Sequence, residues 1–392
     1  MIETQEAKNI ISAVISCRTL PERKTVINAI NHALSEDIFS PIHMPPFRQS
    51  AMDGYALRLH EDSAYKIVGE ARAGDFRSFE LQAGEAVRIF TGASVPDTAD
   101  TVVMQEKTSR EGDRMHLPAP AARGENIRLP GEQIKKGALA LRKGTLLTPA
   151  GAGYLSSLGI TEAMVFRKPS VAILSTGNEL FEPGAELPRG KVYESNSSML
   201  LSALISRGFS DVSLHKVPDD YTSTAEALDG IIGEKDMVLA SGGISVGDYD
   251  FVGKALRELQ VTQHFYRVRQ KPGKPLYFGQ KGNTFLFALP GNPAAALSCF
   301  YIYVYPALQK MSGIKNFELV RSFEQSASSF VKKGDRAQFL KAFCGNGKVS
   351  LLEGQSSAML HTFALANALA FVPAGTKKIA EGDLLEVIHL PL

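Results

Sequence analysis

The stretch that most constrains the fold is residues 236–250, DMVLASGGISVGDYD. Its apolar run, residues 237–240, has the length and composition of a buried parallel strand. A loop rich in Gly and Ser follows directly, and Asp248 and Asp250 close it. Open α/β sheets bind ligands outside the carboxyl ends of their strands, and glycines let backbone N–H groups approach an anion. A plain glycine-rich turn with solvated acids would have the same sequence, so this segment alone leaves both interpretations open.

Length, charge and cysteine usage narrow the class of protein. A chain of 392 residues predicts two to four domains. A net charge of +2 does not predict a large footprint on nucleic acid or on an anionic membrane. The three cysteines, Cys17, Cys299 and Cys344, are far apart and lack metal-ligand spacing. They indicate reduced thiols, and with an N-terminus unlike a signal peptide they predict a cytoplasmic protein. The apolar tract 294–308 is short for a membrane span and favours a buried helix.

The first part of the chain predicts helices interrupted by a β module. Apolar residues at helical spacing predict two helices within residues 2–37. Short β-branched runs separated by Gly over residues 64–115 predict a small all-β module. A second helical pattern begins at Thr148-Pro149, a capped start with Pro in the first turn. The β module is therefore predicted to be inserted between helical segments.

Strands and helices alternate from about residue 168 onward. Strands are predicted near 170–175, 212–217, 237–240, 265–268 and 284–289, with helices between them and over 294–308. This alternation predicts a doubly wound, mostly parallel sheet. Short runs and turns after residue 316 predict a β barrel or sandwich. The predicted domains are 1–47 with 138–168 (helical/linker), 48–137 (inserted, β-rich), 169–315 (α/β) and 316–392 (C-terminal β).

Polar residues collect where the predicted strands end. Acids and lysines at one sheet edge suit a phosphorylated ligand with Mg²⁺. There is no Walker A loop, GxGxxG fingerprint, Ser-His-Asp elbow or HExxH motif, so common nucleotide-hydrolase, dehydrogenase, esterase and zinc-protease classes lack support. None of the eight histidines is predicted to bind a metal. The residues at this edge are Asn178, Glu179, Asp219, Asp220, 241–250, Lys271, Lys274, Gly291 and Asn292.

Seven motifs, in order along nearly the whole chain, resemble the molybdopterin molybdenumtransferase family (MoeA and the gephyrin E domain). They are SAMDGYA at 50–56, RIFTGASVP at 88–96, GENIR at 124–128, STGNEL at 175–180, SGGISVGDYD at 241–250, KPGKP at 271–275 and LPGNP at 289–293. The resemblance implies cleavage of adenylylated molybdopterin, with release of AMP and insertion of molybdenum from molybdate into the dithiolene. It implies an α/β molybdopterin-binding domain, an inserted β-rich domain, a C-terminal β barrel and a homodimer whose cleft involves both protomers.

The resemblance also implies roles for individual residues. The catalytic residues it implies are Asp53, Asp219, Asp250, Lys271 and Lys274. The metal ligands it implies are Asp219, Asp248 and Asp250, for Mg²⁺, and the sequence does not distinguish the acid that holds metal from the acid that orients water. The substrate-binding residues it implies are Thr91, Arg128, Glu179, Ser241, Gly242, Gly243, Ser245, Gly291, Asn292, Arg336 and Ser357.

The chain departs from the family pattern at two positions. Gln133 replaces a common Asp and loses its charge, and Arg267 replaces a common Lys and changes donor geometry. The alternatives are a molybdopterin adenylyltransferase acting one step earlier, and a divergent non-catalytic or tungstate-handling paralogue that acts as a binding protein. The expected partners are the upstream adenylyltransferase and recipient molybdoenzymes, with no nucleic acid and no membrane.

Overall fold

The structure is a computed structural model that describes residues 1–17, 19–75, 77–244 and 250–391. In these residues no helix has the length and apolar character needed to cross a membrane. Ser245 and Asp248, two of the predicted site residues, lie outside the described residues.

The N-terminal segment contains one helix, not two. Helix α1 buries Ala7 and Ile11 in the same core as the central sheet. The helix predicted over the second half of residues 2–37 is wrong, because residues 21–25 pair as a strand with residues 162–166 and a series of turns follows. Asn31 has a φ of 63°, which ends any helical path. The elements are α1 (Thr4–Val14), β1 (Pro21–Thr25) and β2 (Ile38–Phe39).

The inserted module is all-β apart from one 3₁₀ turn, as predicted. Its six-stranded sheet has the order β7-β4-β6-β5-β9-β8, and a separate two-stranded ribbon joins β3 and β10. Two apolar clusters, one on either side of β4 and β6, form its core. The strands are β3 (Gln49–Ser50), β4 (Gly54–Leu57), β5 (Ala64–Ala71), β6 (Glu85–Ile89), β7 (Thr101–Met104), β8 (Ser109–Glu111), β9 (Arg114–His116) and β10 (Ile127–Arg128).

The chain then returns to the first segment. Strands β11 and β12 pair with β2 and β1, and a small core that includes Val26, Leu34 and Leu155 joins the two pieces. The hydroxyl of Thr148 accepts a hydrogen bond from the Gly151 N–H, so the predicted capped helix start is confirmed. The elements are β11 (Leu139–Leu141), α2 (Pro149–Ser157) and β12 (Glu162–Phe166).

The central sheet has the strand order β16-β13-β17-β21-β20-β18. The first four strands are parallel, β20 runs antiparallel to them, and β18 at the edge pairs antiparallel with β20. Alternate residues of β13 enter different cores, Val171 and Ile173 on one face and Ala172 and Leu174 on the other. Burial of both faces explains why these strands are continuous apolar runs. The predicted strands and the mostly parallel sheet are confirmed, and β20 is a strand that the sequence did not predict.

The elements of this region include one π-helical segment, residues 300–304, between its last two helices. The strands are β13 (Val171–Thr176), β14 (Leu180–Phe181), β15 (Val192–Tyr193), β16 (Val212–Val217), β17 (Met237–Ser241), β18 (Thr262–Arg267), β19 (Gln270–Lys271), β20 (Pro275–Lys281) and β21 (Thr284–Leu289). The helices are α3 (Asn196–Ile205), α4 (Tyr221–Ile231), α5 (Phe251–Glu258), α6 (Pro293–Cys299) and α7 (Tyr305–Met311).

The C-terminal region is a closed barrel. Strands pair in the order β24-β25-β22-β28-β26, and β24 also pairs with β26, which closes the ring. Strand β19 pairs with β24, so a piece of the central region extends this sheet. The elements are β22 (Arg321–Ser326), β23 (Phe330–Val331), β24 (Ala337–Gly345), β25 (Lys348–Leu351), α8 (His361–Leu365), β26 (Ala368–Val372), β27 (Lys378–Ile379) and β28 (Leu384–His389).

Candidate functional site

The carboxyl edge of the central sheet joins the loops that follow β13 and β16. Thr176, the last residue of β13, donates its hydroxyl to Oδ1 of Asp219 at 2.8 Å. The Asp219 N–H donates to Oδ1 of Asn178 at 3.2 Å. Oδ2 of Asp219 has no hydrogen-bond partner among the described residues. This half-buried carboxylate is therefore positioned by its neighbours while one of its oxygens is free to bind a ligand.

Asn196, at the start of α3, connects the loops that follow β17 and β21. Its Nδ2 donates to Oγ of Ser241 at 2.8 Å and to the Gly291 carbonyl at 2.8 Å. Its Oδ1 is buried and accepts no hydrogen bond from any described residue. Buried polar atoms are nearly always paired, so this acceptor points to a donor from a bound group or water. Asn196 is not among the site residues predicted from the sequence, and no local sequence signal distinguishes it from an ordinary polar residue at the start of a helix.

Glycines shape the loop after β17. Gly242 has a φ of 89°, and a Cβ there would lie 2.4 Å from the Thr176 carbonyl oxygen. At Gly243 the φ is 59°, and a Cβ would lie 2.8 Å from Val252. A Cβ at Gly291 would lie 3.9 Å from the Gly242 Cα, so the two loops approach closely. The backbone itself thus lines this part of the edge.

Two of the acids near the sheet edge cap helices. The Asp220 carboxylate accepts the Ser223 N–H at 2.9 Å at the start of α4, and this bonding lowers the pKa of Asp220. Asp250 accepts the Gly253 N–H at 3.0 Å on Oδ1, and its Oδ2 accepts the Tyr266 hydroxyl at 2.5 Å. Burial, and then the bond to Asp250, raises the pKa of Tyr266. Both carboxylate oxygens of Asp250 therefore accept a hydrogen bond. Asp219 differs, because only its Oδ1 accepts a hydrogen bond from a described residue.

Glu179 lies apart from this bonded set. It is exposed at the edge of the small β14–β15 ribbon, where its carbonyl accepts the Val192 N–H. A Cβ at Gly177 would lie 2.9 Å from its carboxylate, so the strand end at Gly177 allows Glu179 to fold back over it.

The KPGKP loop is held by hydrogen bonds from the side chain of a buried glutamine. The buried Gln270 donates Nε2 to the carbonyls of Pro272 and Gly273 at 3.1 and 3.2 Å. The Tyr303 hydroxyl donates to Oε1 of Gln270. Lys271 and Lys274 are both exposed, and neither forms an ion pair with a described residue. The loop therefore presents two unpaired cations from a rigid base, an arrangement suited to an oxyanion.

The C-terminal barrel adds residues to the same edge. Arg336 donates Nη1 to the Gln270 carbonyl at 3.1 Å. Asn292 donates Nδ2 to Oγ of Ser357 at 3.0 Å. Lys271 borders a cavity of about 200 Å³ between the loop and the barrel, where Lys333, Gln338 and Gln355 also lie. The structure thus brings Arg336 and Ser357 beside the loops that the sequence assigned to the sheet edge.

Asp53 and Thr91 lie together in the inserted module. Thr91 donates both its N–H and its hydroxyl to Oδ1 of Asp53, each at 2.7 Å. These bonds lower the pKa of Asp53. Gly54 leaves no room for a side chain, because a Cβ would lie 1.9 Å from the Val103 carbonyl oxygen. Arg128 is exposed on β10, opposite Gln49 of β3.

The two groups of predicted site residues are separate within one chain. Between the described residues, no hydrogen bond or ion pair joins 48–137 to 169–391. Asp53, Thr91 and Arg128 are therefore not connected to the sheet edge through polar contacts of their own chain.

The two positions that depart from the family pattern differ in setting. Gln133 has an exposed side chain, and its N–H donates to the Met44 carbonyl. Arg267 lies over the ring of Tyr266, 5.6 Å from its centroid, and its Nε is buried without a partner among the described residues. Arg267 therefore packs against the tyrosine that bonds Asp250.

The fold and the edge residues define a multidomain α/β protein whose central sheet ends in polar, glycine-rich loops and is accompanied by two β-rich regions. Family models match three consecutive parts of the chain: the MoeA N-terminal region (domain I and II) over residues 2–159, the probable molybdopterin binding domain over 172–310, and the MoeA C-terminal region (domain IV) over 325–390. The chain belongs to the molybdopterin molybdenumtransferase (MoeA) family of transferases. The family predicted from the sequence is thereby confirmed.

Similarity to individual relatives extends over whole chains. A molybdopterin molybdenumtransferase of Haemophilus influenzae is 33% identical over 99% of this chain and 98% of its own. Molybdopterin molybdenumtransferase 2 of Mycobacterium tuberculosis is 32% identical over 100% of both chains. The crystal structure of the molybdopterin biosynthesis MoeA protein from Pyrococcus horikoshii OT3 has a TM-score of 0.86, 30% identity and coverage of 100% of both chains.

Proposed function

We propose that this protein inserts molybdenum into adenylylated molybdopterin and releases AMP, the last step of molybdenum cofactor synthesis. Water cleaves the phosphoanhydride. Of the two products, AMP and molybdopterin phosphate, one keeps the bridging oxygen and the other gains the oxygen of the water. Molybdate binds beside the dithiolene before this cleavage and promotes it, and on insertion one oxide ligand leaves with the two thiol protons as water. The observation that carries this proposal is that Asp219, Asn196 and Ser241 lie at the edge of the central sheet where the KPGKP loop enters β20, opposite the end of β21.

Each group at the edge has a part in the proposed reaction. The glycine backbone at 242, 243 and 291 binds the phosphates, because it offers N–H donors and a close approach. Oδ1 of Asn196 accepts a hydrogen bond from a donor of the substrate or from a bound water. The Asp219 carboxylate orients the attacking water and would share its free oxygen, which has two lone pairs, with a bound Mg²⁺. Lys271 and Lys274 hold the molybdate oxygens, with Arg336 and Ser357 beside them. Asp250 holds the start of α5 in place and contributes its negative charge to the same edge.

The donor set at this edge fits Mg²⁺. This cation takes one or two protein carboxylates and completes its shell with water and substrate phosphate oxygens. Asp219 has an oxygen with no partner among the described residues, and Asp250 offers its remaining lone pairs. Asp219 and Asp250 would hold the ion, with Asp248 as a third candidate in sequence. Bound there, Mg²⁺ would neutralise charge on the phosphoanhydride.

We also propose that the working unit is a homodimer in the cytoplasm. A second copy would place its Asp53, Thr91 and Arg128 over the sheet edge of the first. The separation of these residues from the edge within one chain supports this arrangement, because a partner would unite them. The upstream adenylyltransferase and recipient molybdoenzymes are the expected partners for substrate and product.

The test of the function is AMP release from adenylylated molybdopterin by the purified protein with Mg²⁺. We expect release that rises when molybdate is added and falls when Mg²⁺ is chelated. Replacing molybdate with tungstate measures oxyanion preference in the same assay. Absence of release from folded protein would overturn the proposal and favour a binding paralogue.

Mixing two inactive variants tests the shared cleft. If each site takes Asp53 from one protomer and Asp219 from the other, Asp53→Asn and Asp219→Asn proteins that exchange subunits regain about a quarter of wild-type activity. The reason is that half of the dimers are mixed and each mixed dimer has one intact site. The control mixes either variant with itself under the same exchange conditions. Confirmed subunit exchange without recovery would place both residues in one chain's site.

The adenylyltransferase alternative is not favoured. The matched family models include the MoeA N-terminal and C-terminal regions as well as the molybdopterin-binding region. The relatives compared above, matched over almost their whole length, are named molybdenumtransferases.

A further inference from the structure

Three potential metal ligands converge in the C-terminal barrel, away from the sheet edge. Glu324 is on β22, Cys344 on β24 and His389 on β28. One ligand atom from each lies within 4.8 Å of the others, and all three residues are half-buried. They are the one such group of three or more found in the described part of the chain.

The strand register explains why the three side chains meet. Residues directly opposite on paired strands share a face of the sheet. Glu324 is opposite Leu385, and His389 is opposite Ala368. Leu385 and Ala368 belong to the barrel's apolar core, and Cys344 packs against that core. The acid, the thiol and the imidazole therefore face the barrel interior and not its outer surface.

Hydrogen bonds from neighbouring residues orient His389 and Cys344. Nε2 of His389 lies 2.8 Å from the hydroxyl of Ser322, which leaves the second ring nitrogen for another partner. Asn367 bonds the Cys344 backbone on both sides, accepting its N–H at 2.7 Å and donating to its carbonyl at 2.8 Å. Hydrogen bonds of this kind orient the ligands of protein metal sites.

The carboxylate of Glu324 has no polar partner within the part of the chain that the structure describes. It forms no hydrogen bond and no ion pair with any residue in 1–17, 19–75, 77–244 or 250–391. An ionised carboxylate turned toward an apolar core is unfavourable unless a counter-charge accompanies it. A cation shared with the adjacent thiolate and imidazole would supply that charge.

We propose that Glu324, Cys344 and His389 bind one Zn²⁺ ion, with water in the fourth position. Sulfur, nitrogen and carboxylate oxygen are the donors that zinc takes in four-coordinate sites, whereas Mg²⁺ takes oxygen. Binding releases the thiol proton to solvent and forms the Zn–S bond. The ion ties β22, β24 and β28 together and so stabilises the barrel. This site is independent of the proposed transferase reaction.

Cobalt(II) is the probe, since it occupies zinc sites and absorbs strongly when a thiolate coordinates it. Full-length protein is freed of metal with a chelator, desalted and titrated with Co²⁺ in excess Mg²⁺, which saturates oxygen-only sites. We expect a thiolate-to-cobalt absorption band that saturates at one equivalent and disappears on adding Zn²⁺. Added Zn²⁺ also raises the melting temperature of the metal-free protein.

Matched variants decide whether this site produces the band. Cys17→Ser removes an exposed thiol elsewhere and keeps the band. Cys344→Ser loses it, and Glu324→Gln, which keeps the side-chain size, weakens Co²⁺ binding about tenfold or more. A wild type without the band, or a Cys344→Ser protein that retains it, overturns the proposal. If Cys344→Ser does not fold, unchanged Co²⁺ affinity in Glu324→Gln overturns it instead.

Discussion

Replacing Asp219 with Asn lowers molybdate-dependent AMP release roughly one-hundred- to ten-thousand-fold, the range typical for loss of a positioned acid–base group. The substitution keeps an oxygen that accepts the Thr176 hydroxyl, so the local hydrogen bond survives. What it removes is the negative charge of the free carboxylate oxygen. The measurement is the rate of AMP release at saturating substrate, with circular dichroism to establish that the variant is folded.

The adjacent acid provides the matched control. Asp220→Asn makes the same chemical change one residue away, at a side chain that caps α4 through the Ser223 N–H. Asn is about as good a cap as Asp, so we expect near-normal stability and activity. Full activity in Asp219→Asn, or an equal loss in both variants, would contradict the role assigned to Asp219.

Replacing Gly242 with Ala destabilises the central domain by roughly 2–4 kcal/mol and lowers AMP release at least about tenfold. The new Cβ would lie 2.4 Å from the Thr176 carbonyl oxygen, and the residue would keep a φ near 89°. Both effects push the loop away from Thr176, which positions Asp219. The loss of stability is measured by unfolding the protein in urea and monitoring the unfolding of the central domain by its cleavage with trypsin.

Gly230→Ala is the control for this substitution. Gly230 lies in α4, with no atom within 4 Å of the added Cβ. Alanine there gains about 0.5–1 kcal/mol because it loses less backbone entropy on folding than glycine. If Gly242→Ala and Gly230→Ala unfold at the same urea concentration, the close approach at Gly242 is not the constraint that the geometry indicates.

The comparison between the two glycines illustrates what a sequence conceals. Neither glycine is marked as required by its sequence neighbours, yet Gly242 is confined by a carbonyl oxygen from a neighbouring strand and an added Cβ at Gly230 would be in open space. The carbonyl is 66 positions earlier in the chain, at Thr176. Only the folded sheet brings it to Gly242, so local sequence cannot separate a required glycine from a replaceable one.

The wrongly predicted second helix has a similar cause. Val26, Ile30 and Leu34 have helical spacing, but residues 21–25 form a strand because β12 offers a pairing partner. Tertiary pairing overrides a weak local preference. The sequence predicted the strands of the central sheet correctly because their apolar runs fit one kind of structure. Residues 171–176, for example, are all buried, as expected for a strand in a parallel sheet covered on both faces.

The amino-acid sequence by itself determined the family, the parallel core of the central sheet and the loops at its edge, because apolar periodicity and ordered motifs are local properties of the chain. Only the tertiary structure decided how each acid is used: Asp220 and Asp250 cap helices, whereas Asp219 bonds the end of β13 and keeps one oxygen without a partner among the described residues. It alone revealed the unpaired Oδ1 of Asn196 and the meeting of Glu324, Cys344 and His389. The physical reason is that hydrogen bonding and metal coordination depend on distances of a few ångströms between residues far apart in sequence, and strand register sets those distances.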